Sequence, residues 1–335
     1  MTETNDFQNA VELINKSNNI IITCHTRPDG DACGSLVAMQ DVLTSMGKKV
    51  QPLFLSEIPQ WYDFLFDEPP GVLGKTFTAD QLHHGTTPGT DLIIILDTNS
   101  HSQLPNLQQF LKQNQQPVLV IDHHVTSDNL GNVELVDTTA AATGLIVLDL
   151  LKFAGWPISQ RIAQALFVAV ATDTGWFRFA NANARTYESS AELIASGADP
   201  AQLYHILYEN SSIQRFDLMV TMLNNLELHF NGRYAQQHIT QKDFKQTGAA
   251  YNDTENLIDQ CRRIASVETA ALLVELKDGR IRCSLRSSGR VDVRQIAQKF
   301  GGGGHKMASG TYLPGPLENA KKTILAEMAQ HFADT

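Results

Sequence analysis

Three short runs in the first half of the chain are apolar at nearly every position: NIIITC (19–24), DLIIILD (91–97) and QPVLVID (116–122). Runs of this length without polar alternation suit strands buried on both faces. Apolar residues recur instead at helical spacing in GSLVAMQDVLTSMG (34–47), TGLIVLDLLKFAG (143–155) and SQRIAQALFVAVATD (159–173). The polar N-terminus, MTETNDFQNAVELINKSNN, reads as an amphipathic helix. Buried strands alternating with helices predict an α/β unit, a mostly parallel sheet with flanking helices. On such sheets ligands sit beyond the C-terminal ends of the strands.

The pattern changes near residue 186, where it becomes helical and more polar without a strong strand. LELHFNGRYAQQHIT (226–240) then alternates around Asn231-Gly232, and AALLVELKDGRIRCSLRS (270–287) around Asp278-Gly279; both predict hairpins. A final helix is expected at 317–333. The second half therefore reads as a smaller α+β C-terminal domain. We expect a first domain at 1–190, a helical connector at 191–228 and a second domain at 229–335. The chain shows no internal repeat and no low-complexity tract beyond GGGG (301–304).

A length of 335 residues suits two such domains, and 42% hydrophobic with 19% charged residues suits a sizeable core. No apolar run approaches the roughly 20 residues of a membrane-spanning helix, so no membrane partner is expected. Cys24, Cys33, Cys261 and Cys283 lack C-x-x-C spacing and read as reduced, buried small residues of a cytoplasmic protein. Net charge is −10, which argues against a partner such as long nucleic acid. The charge is uneven, however. Residues 277–306 hold eight Lys/Arg against two Asp, so this stretch carries +6 and the remaining 305 residues −16. A local basic segment on an acidic chain suits a small anionic ligand.

The candidate chemistry gathers at strand ends. CHTRPDGDACGS (24–35) follows the first run and holds His25, Asp29 and Asp31 in a loop that Pro28, Gly30 and Gly34 make compact. Asp97 ends the second run; Asp122, His123 and His124 end the third; Asp173 ends a helix. A Pro-Asp-Gly turn with an Asp cap accounts for Asp29 taken alone, and a cap with two exposed histidines accounts for 122–124. The set is harder to explain so. Uncompensated, these carboxylates would repel one another and lose hydration, and a divalent cation reverses that cost. Carboxylate and imidazole without thiolate favour Mn²⁺ or Mg²⁺ over structural zinc, and six donors suggest two ions. Trp176, Phe177 and Phe179 read as core rather than as a base-stacking platform.

HTRPDGD, LDTNS, IDHH and ATDTG occur here in the order found in the DHH phosphoesterase superfamily, which the chain resembles over nearly its whole length. SLRSSGRVDVRQIAQKFGGGGHKMASG (284–310) resembles the first type of DHH-associated domain. The resemblance implies one Mn²⁺ on His25, Asp29 and Asp97 and a second on Asp31, Asp97, His123 and Asp173, with Mg²⁺ as the alternative metal. It implies that Asp122 orients the neighbouring imidazoles and that His124 faces the substrate phosphate. Arg286, Gly302, Gly303, Gly304 and His305 become substrate contacts, while Arg282, Arg290 and Arg294 read as solvated surface charges. The implied activity is that of a two-metal phosphodiesterase of the nano-RNase type, acting in a cleft between the domains. It would cut short oligoribonucleotides to mononucleotides and dephosphorylate 3′-phosphoadenosine 5′-phosphate. The alternatives are a cyclic-dinucleotide phosphodiesterase and, outside enzymes, a nucleotide-sensing binding protein; a homodimer is compatible with either.

Overall fold

The three apolar runs are neighbouring strands of one sheet. The structure, a computed structural model, describes residues 4–78, 89–113, 116–304 and 306–332. Its contacts divide the chain into Met1–Asn210 and Ser211–Thr335. In the first unit β1 (Asn19–Cys24), β2 (Lys49–Phe54), β3 (Gly71–Val72), β4 (Leu92–Leu96), β5 (Val118–Asp122) and β6 (Val133–Val136) lie in the order β3-β2-β1-β4-β5-β6. Every pairing is parallel. Cys24 lies opposite Leu96, Leu96 opposite Ile121, and Asp122 opposite Val136. The register thus ends β1, β4 and β5 level, and the residues after each emerge along one edge. β2 and β6 are not legible as buried strands: β2 is KVQPLF, with only its last two residues buried, and β6 is the four-residue VELV.

Side chains alternate between the two faces of the sheet. Ile20, Ile22 and Ile94 join the larger core with α2 (Gly30–Ser45), α4 (Thr143–Ala154) and α5 (Gln160–Asp173). Ile21, Ile93 and Ile95 pack on the other side with Leu104, Leu107 and Phe110, the last from α3 (Gln108–Gln113). α1 is Thr4–Lys16, α6 is Ala184–Ala195 and α7 is Pro200–Tyr208. The expected α/β architecture is observed.

The second unit holds β7 (Glu227–His229), β8 (Tyr234–Ile239), β9 (Thr269–Glu275), β10 (Ile281–Ser287), β11 (Gly303–Gly304) and β12 (Ala308–Leu313), ordered β11-β12-β10-β9-β8-β7. Both expected hairpins are present as β7–β8 and β9–β10, and only β8–β9 is parallel. One face packs on α10 (Val293–Lys299) and α11 (Leu317–Phe332), the other on α8 (Ile213–Asn224) and the 3₁₀ turns at Leu257–Arg263. α9 is Gln241–Thr247. Residues 191–228 are shared out: the end of α6 and all of α7 lie in the first unit, α8 in the second. Among the described residues no helix is long and apolar enough to cross a membrane.

Candidate functional site

α2 begins at Gly30, so the segment expected to be a loop through Gly34 is loop only as far as Asp29. Asp29 is the N-cap, its Oδ1 accepting from the amides of Asp31 and Ala32. Asp31 therefore stands inside the first helical turn, fully buried. The two glycines do not compact a loop; they let helices touch. A Cβ on Gly30 would lie 2.3 Å from Thr172 Oγ1, one on Gly34 2.2 Å from the Ala165 carbonyl oxygen, and one on Gly144 2.6 Å from the Ala169 Cβ. This close approach of α2, α4 and α5 brings Asp173, the last residue of α5, next to Asp31.

α4 starts without a capping side chain, at Ala142. Its free amides are used by Asp31 instead: Thr143 N donates to Oδ2 at 2.6 Å and Gly144 N to Oδ1 at 2.9 Å. Thr143 Oγ1 donates to Asp97 Oδ1 at 3.0 Å, and Ser35 Oγ to Asp31 Oδ1 at 3.1 Å. The unsatisfied amides and dipole of a helix N-terminus favour negative charge, so the end of α4 steadies a carboxylate 112 residues earlier in the chain. Thr143, Gly144 and Ser35 escape a reading based on motif spacing; the signal available was a strongly helical pattern with no N-cap of its own.

Asp97 leaves β4 in the left-handed region, φ 62°, a conformation Asp tolerates better than most residues. Its carboxylate is buried with the imidazoles around it. His25 Nε2 lies 3.3 Å from Asp97 Oδ2 and 3.8 Å from Asp29 Oδ1. His123 Nε2 lies 3.5 Å from Asp97 Oδ1, 3.5 Å from Asp173 Oδ2 and 3.8 Å from Asp31 Oδ2. The other ring nitrogens are held from outside: His25 Nδ1 is 2.9 Å from the Thr26 carbonyl oxygen and His123 Nδ1 3.3 Å from that of Ala140. With Nδ1–H donated to a carbonyl, Nε2 keeps its lone pair toward the carboxylates, the tautomer that a metal ligand needs.

Asp122, fully buried, serves His124 alone. Its Oδ1 accepts from His124 N at 3.2 Å and from His124 Nδ1 at 2.8 Å, while His123 is held by Ala140. The expectation that Asp122 orients both imidazoles is corrected accordingly. The side chain of His124 is 43% exposed, so its Nε2 is the nitrogen left for an incoming group. Asn99, buried and also unforeseen, ties down the segment after His124. Its Nδ2 donates to Ser127 Oγ and Glu134 Oε2, and its Oδ1 accepts from Leu130 N.

The electrostatics of the cluster call for a cation. Burial, then Asp31, pushes the Asp97 carboxyl well above its ordinary range. Burial, then the three neighbouring carboxylates, lifts Asp173 to about 9. Burial likewise raises Asp31. Burial opposes the charging of His25, yet Asp29 and Asp97 carry it up to about 11. Three groups of donors lie within 4.8 Å of one another: His25, Asp29 and Asp97; Asp31, His123 and Asp173; Asp97, His123 and His124. All donors are oxygen or imidazole nitrogen, which fits a hard or borderline divalent ion. Cys24 and Cys33 are buried close by, and burial first, then neighbouring charge, pushes both thiols well above their usual range. They remain neutral thiols rather than ligands.

The description "DHH family, N-terminal domain" matches residues 19–170, and "DHHA1 domain" matches residues 232–334. The chain carries a DHH domain followed by a DHHA1 domain. It is a hydrolase. It is 29% identical over 309 residues to the bifunctional oligoribonuclease and PAP phosphatase NrnA of Thermus thermophilus, covering 91% of this chain and 88% of that one. It is 27% identical over 303 residues to the protein of that name from Bacillus subtilis, with 90% and 91% covered. In fold it is similar to an exopolyphosphatase-related protein from Bacteroides fragilis, with a TM-score of 0.92 at 24% identity over 99% of this chain and 98% of that one.

In the DHHA1 unit β10 alternates strictly, with Arg282, Ser284 and Arg286 on the half-buried face. Arg286 Nη1 donates to its neighbour's carbonyl oxygen, on Leu285, at 3.2 Å, and its Nε lies 3.6 Å from Asp259 Oδ1. Arg282 is not a solvated charge: it is half-buried, and its Nη1 donates to Tyr251 Oη at 2.7 Å. Arg290 pairs with Glu268 and Arg294 with Asp292, each at 3.0 Å. Gly302 and Gly304 owe their missing Cβ to β12, because an added carbon would meet the Gly310 carbonyl oxygen at 2.2 Å and that of Ala308 at 2.6 Å. Gly303 differs, since nothing among the described residues lies within 4 Å of the Cβ it lacks. His305 lies outside the described residues.

Proposed function

We propose that this chain is a divalent-metal-dependent phosphodiesterase that hydrolyses short oligoribonucleotides, dinucleotides included, to mononucleotides. We extend the proposal to the 3′-phosphate of 3′-phosphoadenosine 5′-phosphate. The observation that carries it is the convergence of His25, Asp29, Asp31, Asp97, His123 and Asp173 at one sheet edge, where burial and mutual crowding push the carboxyls of Asp31, Asp97 and Asp173 toward protonation. Relatives named as oligoribonucleases and PAP phosphatases, matched across some nine-tenths of this chain, support the choice of substrate.

In this reading His25, Asp29 and Asp97 would hold one Mn²⁺ and Asp31, Asp97, His123 and Asp173 a second, with Asp97 contributing to both. Divalent ions there would supply Lewis-acid stabilisation of the phosphoryl charge and activation of water. The protein's own groups do the rest. Asp122 fixes the His124 ring through Nδ1, which leaves Nε2–H to bond a phosphate oxygen or to protonate the departing ribose oxygen. The bond to Asp122 comes first in raising the His124 pKa, against burial, which favours the proton-bearing form of the ring. Arg286 and the backbone at Gly303 bind the substrate rather than the metal.

A 25% identical cyclic-di-AMP phosphodiesterase, PdeA of Listeria monocytogenes, favours a second reading in which the substrate is a cyclic or linear diadenylate; the match covers 94% of this chain but 48% of that protein. Purified protein with Mn²⁺ and a panel tests both: RNAs of 2, 5 and 20 nucleotides, cyclic and linear diadenylate, and 3′-phosphoadenosine 5′-phosphate. The first reading expects the dinucleotide to be cut much faster than the 20-mer, and the cyclic form to be poor. A 20-mer digested as fast as the dinucleotide removes it.

A further inference from the structure

The turn after Asp173 is strained, and nothing in the metal centre requires it. Gly175, Trp176 and Phe177 are successively left-handed, with φ of 56°, 57° and 63°. For residues with a Cβ this conformation is unfavourable, and strain of this kind gathers at ligand sites. Hydrogen bonds hold it: Trp176 N donates to the Ala171 carbonyl oxygen, Phe177 N to Thr174 Oγ1, and Arg178 N to the Thr174 carbonyl oxygen. Asn181 Nδ2 returns to the carbonyl oxygen of Asp173 at 3.2 Å, so the turn closes beside the candidate ligand.

Its effect is to set Trp176 edge-on against α7. The Trp176 ring lies 5.1 Å from Tyr204 and 5.5 Å from Tyr208, and the two tyrosines 5.1 Å from each other. Trp176 is half-buried against the core, as its sequence reading has it, but Tyr204 and Tyr208 are 38% and 46% exposed. Phe179, also read as core, is exposed as well. The outer face of a short surface helix is usually polar; here it carries two partly exposed phenol rings in edge contact with an indole. Arg178 Nε donates to the Gly175 carbonyl oxygen at 2.6 Å, and among the described residues no carboxylate pairs with its guanidinium. α7 packs on the 3₁₀ turn Gln60–Leu65, which carries Tyr62.

We propose that Tyr208 and Tyr204, backed by Trp176, form a nucleobase-stacking subsite, and that Arg178 binds a phosphate of the same nucleotide. The subsite rests on the phosphodiesterase reading above and gives it a base-binding element within the first unit. A stacked base is sequence-tolerant, because every base has a π face, so the subsite recognises the presence of a base rather than its identity.

The test compares adenosine 5′-monophosphate with ribose 5-phosphate in equilibrium binding to the full chain, with hydrolysis of a diadenylate followed in parallel. Wild type should prefer the nucleotide by about tenfold or more, the range expected for stacking one base. Tyr208→Ala should bring that ratio to about two or below, and Tyr208→Phe should keep it, because the ring and not the hydroxyl makes the contact. Tyr208→Leu, which retains apolar cover over Trp176, should behave as the Ala variant does and separates stacking from folding. Arg178→Ala should weaken both ligands alike. An unchanged ratio in Tyr208→Leu overturns the subsite. So does a Tyr208→Ala chain that changes oligomeric state with the ratio intact, which would mark this face as a protein interface. A wild type that cuts no dinucleotide yet keeps the preference removes the phosphodiesterase reading and leaves the subsite standing.

Discussion

The acidic edge of the first unit and the basic strand of the second handle charge in opposite ways. At the edge, Asp31, Asp97 and Asp173 crowd one another, and the groups that face them are the imidazoles of His25 and His123. On and after β10, Arg290 and Arg294 already have carboxylate partners, Arg282 has Tyr251, and Arg286 has its neighbour's carbonyl oxygen and a long contact to Asp259. The first arrangement is incomplete without added positive charge. The second is nearly self-sufficient, so a ligand must either use Arg286 or displace an existing partner. On the proposed function, the difference separates a centre built around an ion from a surface that positions an anion.

The strongest way to break this contrast is Asp97→Asn, which keeps shape and tolerance of the left-handed backbone but removes the shared carboxylate. Loss of several kcal/mol of charge stabilisation should lower dinucleotide hydrolysis at least about a thousandfold. Bound Mn²⁺, measured by mass spectrometry, should fall, while the melting temperature of the metal-free protein holds or rises because crowding is relieved. Near-normal turnover would end the metal-centre reading.

Two glycines sharpen the contrast next. Gly34→Ala pushes a methyl into the Ala165 carbonyl and should cost about 1–3 kcal/mol in urea unfolding, with weaker metal binding as α2 and α5 part. Gly303→Ala meets no atom of the described residues and should change stability by no more than about 0.5 kcal/mol. It should nonetheless raise the Michaelis constant for a dinucleotide. If Gly34→Ala binds Mn²⁺ as wild type does, helix contact is not what assembles the donors.

Arg286→Ala should raise the Michaelis constant about ten- to hundredfold, the weight of a charge-assisted hydrogen bond, and leave metal content unchanged. Loss of metal in that variant would contradict the division between the units. The smallest effect concerns an acid that is satisfied without any ion. Burial would lift the Asp137 carboxyl, but hydrogen bonds from Thr139, then Arg185, bring it down to about 2. A folded-state value below the unfolded one means that the unfolded chain binds more protons between the two. The pair therefore stabilises the fold above about pH 4 and loses that contribution as pH falls toward 2. Arg185→Met should flatten acid unfolding monitored by circular dichroism; an unaltered profile would show that Asp137 is held by Thr139 alone.

Much of the first unit is written locally. The runs at 19–24, 91–97 and 116–122 are strands because continuous β-branched and leucine side chains can be buried on both faces only inside a parallel sheet, and each run ends on or beside the polar residue it delivers. His25, Asp97 and Asp122–His124 were therefore legible as a common edge, and the order of motifs carried the family. The hairpins at Asn231-Gly232 and Asp278-Gly279 were legible for the same kind of reason, since tight turns need residues that accept a left-handed backbone, as Asn231, Gly232 and Gly279 do here. The tertiary structure decided what depends on distant partners. Gly30 and Gly34 look like loop residues until α5 lies against them. α4 looks uncapped until Asp31 arrives to take its amides. Tyr204 and Tyr208 look like an ordinary helical pair until the left-handed turn sets Trp176 behind them. Periodicity reports which face of an element is apolar, because that is a property of consecutive residues. It cannot report which element comes within hydrogen-bonding distance, because that follows from packing between segments far apart in the chain.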